Sequence, residues 1–235
     1  MTWKLCTQII LSIVYVITLV HFLRSSHKIQ QALQWWSSRQ SMKLFMEAEK
    51  IRDGLLQESF IIRRSLDLLA VEHLNLSPKK TQDCLTKIDN FHHALAKLSD
   101  RLFPESLQDS FPLAIECLLE PWLTSHPHRD FHFDLPASWR REPAERSMIV
   151  LLSLEELLKL TLPELLIPIS IYISLKQQND VAQLVVQISY PDVSTLGFYS
   201  HLPELDYLCE SFRILTSGKC FCRSKNLNAA WYFFW

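Results

Sequence analysis

Apolar and polar positions divide the chain into three stretches of different period. The first, Leu5–Leu23 (LCTQIILSIVYVITLVHFL), is apolar on all sides and carries no formal charge. As a helix it rises about 28 Å, enough to cross the hydrocarbon core of a bilayer. From Ile29 the apolar residues recur in steps of three and four: Ile29, Leu33, Trp36, Leu44, Ala48, Ile51, Leu55, Ile62, Leu66 and Leu69. That spacing predicts one stripe of a long amphipathic helix, interrupted by polar Gln40 and Ser59. The segment NLSPKK breaks it, with Ser77 suited to an N-cap and Pro78 to a first helical turn. A second helix then turns Leu85, Ile88, His92, Leu95, Leu98 and Leu102 inward and stops before Pro104. Two antiparallel helices are too narrow to bury both stripes, so a homodimer forming a four-helix bundle is expected. The polar residues Gln40, Ser59 and His92 either set its register or are tolerated packing defects.

Beyond about Glu105 the period changes. Helical spacing returns over Ser110–Leu123 and Pro143–Leu162. Strand-like runs follow at Phe131–Leu135, Ile169–Leu175, Ala182–Tyr190, Lys219–Arg223 and Ala229–Trp235. Ile169, Ile171 and Ile173 alternate with Ser170, Tyr172 and Ser174, the period of two of a half-buried strand. Helices mixed with hairpin-spaced strands predict an α+β sandwich, helices on one face of a largely antiparallel sheet. The expected organisation is an anchor at 1–28, a helical-hairpin dimerisation domain at 29–105 and the sandwich at 106–235.

Composition narrows the function classes. A net charge of −1 gives no basic field for nucleic acid. The 3 glycines, Gly54, Gly197 and Gly218, are far fewer than a chain of 235 residues ordinarily carries, which disfavours flexible phosphate-cradling loops. No small-residue cleavage site follows the first apolar run, so an uncleaved anchor is expected over a signal peptide. Lys4 precedes the run, while Arg24, Lys28, Arg39 and Lys43 follow it, which places the C-terminal bulk in the cytoplasm. With only Met1–Lys4 ahead of the anchor, no external sensor domain is expected. The 6 cysteines form no CxxC pair or regular framework, as expected of reduced thiols.

The segment Glu47–Phe60, EAEKIRDGLLQESF, resembles the phosphoacceptor segment E-L-H-D-G-L-x-Q of one class of sensor histidine kinases. Asp53, Gly54, Leu55, Leu56 and Gln57 match it, and Arg52 stands at the histidine position. Later segments resemble the family in the same order. LSDRLFPESLQDSFPLAIECLLEPW is similar to the junction that opens the ATPase domain, FHFDLPASW to its first strand, and RSMIVLLSLEELLKL to its metal-binding helix. The resemblance covers roughly residues 40–235. It implies a dimeric hairpin followed by a histidine-kinase-like ATPase domain, with ATP and Mg²⁺ as cofactors only if the chemistry survives.

The departures from the family fall on that chemistry. Histidine phosphorylation needs an imidazole lone pair assisted by a carboxylate. Asp53 is that carboxylate, but a guanidinium at Arg52 stays protonated and offers no lone pair. The family's helix carries a glutamate and, four residues on, a Mg²⁺-holding asparagine. Here these are Glu155 and Lys159, and a lysine contacts phosphate but does not ligate Mg²⁺. The adenine-reading D-x-G-x-G corresponds to Asp192–Leu196, with both glycines gone. Asp192 keeps the adenine acceptor on that alignment. Tyr190-Pro191-Asp192 also starts a turn in any fold, and this plainer role is preferred. Ser217-Gly218 is all that remains of a glycine-rich lid.

No Ser/His/Asp order, zinc spacing or Walker loop appears, so no catalytic or metal residues are assigned. His73, His92 and His93 are expected to be packing or surface residues. His126, His128 and His132 are expected in an exposed loop and strand rather than at a metal. Arg63-Arg64 and Arg140-Arg141 are expected to be solvated charges. The functional expectation is a single-pass membrane protein, a pseudokinase of two-component signalling that acts as scaffold or regulatory subunit. Its interaction face carries Arg52, Asp53 and Gln57, and its partner is a response regulator or a membrane complex. The alternatives are a divergent ATP-binding kinase using Glu155, Lys159 and Asp192, and an assembly factor of a membrane complex.

Overall fold

The computed structural model describes residues 2–71, 78–125, 129–162 and 169–235, with side chains described from Ile13 onward except at 69–71, 78 and 108. Helix α1 (Thr2–Lys50) passes through a π-helical turn (Ile51–Leu55) into α2 (Leu56–Val71), and α3 follows at Pro78–Leu102. A short α4 (Ser106–Asp109) leads to α5 (Phe111–Ser125), strand β1 (Asp130–Asp134) and α6 (Ala144–Thr161). The chain then forms β2 (Ser170–Gln178), β3 (Val181–Ser189), α7 (Val193–Ser200), α8 (Pro203–Thr216), β4 (Lys219–Lys225) and β5 (Asn228–Phe234). Two compact units result. One joins the start of α1, up to Ser37, to Leu118–Trp235, and the other is Ser38–Cys117.

The expected membrane segment Leu5–Leu23 lies in part outside the described side chains. Among the described residues no helix is long and apolar enough to cross a membrane. The cap expected at Ser77 and the histidines His73, His126 and His128 also lie outside the described residues.

In the helical unit, Glu47 faces Arg101 and Ser65 faces Lys87, so α3 runs back along the π-turn and α2. Little of the apolar stripe is covered within one chain. Cys84 and Leu98 are buried, but Leu66, Leu85, Ile88 and Leu95 are exposed.

The other unit is a five-stranded sheet in the order β1-β2-β3-β5-β4, in which β1 and β2 are parallel and the other pairs antiparallel. Strand alternation sorts its faces. Ile171, Ile173, Leu184, Val186, Ile188, Trp231 and Phe233 are buried on the inner face. Val150, Leu154, Leu157 and Leu158 of α6, and Leu205, Leu208 and Phe212 of α8, are buried at helical spacing in the same core. Phe212 packs edge-on to Phe233, with ring centroids 5.0 Å apart. In this glycine-poor chain the left-handed positions fall to Asn179 and Asn226 in the hairpin turns and to Ser217 after α8. Asparagine tolerates that conformation better than other side-chain-bearing residues.

All five expected strands form, but α7 starts within the stretch aligned to the adenine-reading loop, and α8 fills residues 203–216, for which no element was expected. Pro203 at the first turn and the spacing Leu205, Leu208, Phe212 were the signal for α8. Two further expectations are corrected. Cys209 of α8 is joined to Cys220 of β4, so these two are not free thiols. Arg140 is not a solvated charge: it pairs with the buried carboxylate of Glu142 at 2.6 Å and donates to the Asp180 carbonyl. Glu142 in turn accepts from the Trp235 indole at 2.7 Å, which ties down the end of β5.

Candidate functional site

The residues singled out by the sequence fall into two places, one in each unit. In the helical unit the segment Ile51–Leu55 leaves the α-helical path, and the Leu56 N–H donates to the Ile51 carbonyl five residues back. Such π-turns widen a helix by one residue and often mark functional positions. Arg52 lies on this turn, about two-thirds exposed, with its guanidinium 3.3 Å from Asp53 and 3.5 Å from Glu49. Asp53 and Gln57 line a cleft of about 430 Å³, closed on the α3 side by Ala94, Leu98 and Arg101. Below it Glu47 is buried and ion-paired with Lys50 at 2.7 Å and with Arg101 at 3.3 Å. The face is therefore a charged, sterically open groove with no nitrogen lone pair at position 52.

The second place lies along α6 and the β3–α7 turn. Glu155 and Lys159 come together on one face of α6, with the ammonium 2.9 Å from Glu155 and 3.2 Å from Glu156. Desolvation alone would lower the Lys159 pKa, but the two carboxylates outweigh it and hold the amine above its ordinary value. A fixed ammonium thus neutralises the carboxylates at this point of the helix. Asp192 caps α7. Its carboxylate accepts from the Thr195 backbone N–H and hydroxyl, each at 2.8 Å, and from the Ser194 hydroxyl. These bonds lower its pKa to about 2. Its acceptor capacity serves the helix start.

Sequence reasoning missed the aromatic pair beside this turn. Tyr190 is buried and donates its hydroxyl to the Thr161 carbonyl at 3.0 Å, bracing the end of α6. Burial pushes its phenol well above the usual range. Tyr199 of α7 stacks parallel to it at 6.2 Å, and Phe198 meets Tyr199 edge-on at 4.9 Å. The sequence signal was Tyr190 before Pro191 and the Phe198-Tyr199 pair eight residues on. Of the histidines, His132 pairs with Asp130 at 2.9 Å on an exposed strand. No metal-ligand cluster occurs among the described residues.

No family model and no curated protein matches the chain. Similar solved structures are histidine kinases. The Acinetobacter baumannii histidine kinase AdeS is 10% identical over 77% of this chain and 95% of its own, with a TM-score of 0.39. The histidine kinase ThkA, solved in complex with the response regulator TrrA, is 12% identical over 85% and 65%, with a TM-score of 0.41. The Erythrobacter litoralis blue-light activated histidine kinase EL346 is 5% identical over 79% and 59%, with a TM-score of 0.45. No residue role passes to this chain at such identities.

Proposed function

We propose that this chain is a membrane-anchored, catalytically inactive relative of sensor histidine kinases that acts by protein–protein interaction, as a scaffold or regulatory subunit. The observation that carries the reading is Arg52 on the exposed π-turn, held between Glu49 and Asp53 where the resemblance places the phosphoacceptor. A protonated guanidinium cannot accept a phosphoryl group. The nucleotide side points the same way. Lys159 occupies the carboxylates of α6, and the Asp192 carboxylate is taken up by the α7 cap. The groove of Asp53, Gln57 and the neighbouring Arg52 is then a docking face, with a response regulator as the expected partner.

Two further parts of the proposal have physical support. Ile13, Val14, Tyr15, Val16, Ile17, Leu19, Val20, Phe22 and Leu23 are all exposed at near-consecutive helical positions, so they point in every direction. A single protein partner covers one face of a helix, whereas lipid covers all of them. The exposed Leu66, Leu85, Ile88 and Leu95 suit a second copy of the hairpin. A divergent kinase is the second reading, favoured by the partly exposed ammonium of Lys159, which a phosphate can reach.

Restoring the missing acceptor tests the inactive reading. Arg52→His incubated with Mg-ATP is expected to gain no acid-labile phosphate at position 52. Phosphorylation there would show a working nucleotide site and overturn the proposal.

A further inference from the structure

The α8–β4 junction is held by backbone packing as well as by a sulfur–sulfur bond. Ser217 ends α8 in the left-handed conformation. Gly218 then passes so close under β5 that a Cβ there would sit 2.1 Å from the Phe234 carbonyl oxygen. Its N–H donates to the Thr216 hydroxyl at 3.1 Å. These contacts set the Cα atoms of Cys209 and Cys220 5.0 Å apart, within the span a disulfide requires, and the sulfurs are joined.

The opposite side of α8 grips α1. Tyr207 lies against Trp35 with ring centroids 6.3 Å apart, and the Ser211 hydroxyl donates to the Ala32 carbonyl at 2.9 Å. Ala32 and Ser211 are both fully buried by this contact. Cys209 lies between Tyr207 and Ser211 in sequence but about 200° around the helix from each. One face of α8 is therefore tied to the sheet edge through sulfur, and the other to the stretch of α1 that follows its exposed apolar run.

We propose that Cys209 and Cys220 form a reversible thiol–disulfide switch that sets how firmly α8 holds α1. The inference rests on the cytoplasmic placement expected from the basic residues after the apolar run, since disulfides in that compartment are mostly transient and redox-sensing. Oxidised glutathione is the oxidant. One cysteine thiolate attacks it and expels a glutathione thiolate, and the second cysteine thiolate then displaces the other. Two protein thiols and one glutathione disulfide become one protein disulfide and two reduced glutathiones. Cys222, two residues along β4, is a weak competitor, because desolvation outweighs its hydrogen bond with Ser224 and holds its thiol above its ordinary pKa.

The test is a titration of the full chain, in detergent, across ratios of reduced to oxidised glutathione. Intact mass and alkylation mapping give the oxidised fraction, with thermal melting and amide exchange followed in parallel. The pair is expected to pass from fully reduced to fully oxidised within the titration. The oxidised form should melt about 5–10 °C higher. Exchange should slow together at 29–37 and 203–216. Cys209→Ser or Cys220→Ser should abolish these changes, and Cys222→Ser should leave them intact. A pair that stays reduced in oxidised glutathione overturns the switch and leaves the cytoplasmic reading standing. One that stays oxidised in reduced glutathione is a static bond, and it contradicts both. A titration that leaves exchange at 29–37 unchanged overturns the coupling to α1.

Discussion

Gly218 and Asp192 show how single residues hold the α/β unit. At Gly218 the atom that meets an added Cβ is a backbone oxygen, at 2.1 Å, and it has no side-chain freedom with which to yield. Gly218→Ala is expected to lower unfolding free energy by about 1–3 kcal/mol or more, read by denaturant titration. Asp192 acts through charge. Its folded pKa of about 2 lies below the ordinary 3.8, so its contribution is present above pH 3.8 and is lost as pH falls toward 2. Asp192→Asn should flatten the pH dependence of the melting temperature across that window, while an unchanged profile would contradict the capping role. The turn at Tyr190-Pro191-Asp192 was legible in the sequence, but the helix that Asp192 caps was not. The close approach at Gly218 was not, because it depends on β5 returning beside a turn that precedes it in the chain.

At the scale of elements, the strands were legible because alternation marks one buried face, as at Ile171 and Ile173. Helix α8 was missed although Leu205, Leu208 and Phe212 carry its period, since no element was assigned between the turn at Asp192 and the strand at Lys219. With α8 unseen, Cys209 could not be placed facing β4. Phe212 is fully buried against Phe233 and Trp235. Phe212→Ala is expected to cost about 3–5 kcal/mol in the same titration. The π-turn at Ile51–Leu55 left no pattern in the sequence, because Ile51 and Leu55 keep the four-residue step of an ordinary helical stripe. The long hairpin was legible from its stripe, and that stripe remains exposed at Leu66 and Leu95. The double variant Leu66→Lys/Leu95→Lys should convert a dimer to a monomer by analytical ultracentrifugation. A wild-type chain already monomeric would refute the four-helix bundle.

For the molecule as a whole, the sequence suggested a hairpin and a sandwich as successive blocks. Instead the start of α1, up to Ser37, belongs with the sheet-bearing unit. The contacts of Ala32 and Trp35 with α8 join residues about 175 positions apart, beyond the reach of local periodicity. Work on the α/β unit should therefore keep α1, and the full chain is the sample to use. The proposed inactivity rests on Lys159, set among the carboxylates of α6, and on Asp192, whose carboxylate caps α7. Calorimetric titration of the full chain in detergent with Mg-ATP tests it most directly. No binding at millimolar nucleotide is expected. Micromolar binding that disappears in Asp192→Asn would contradict it.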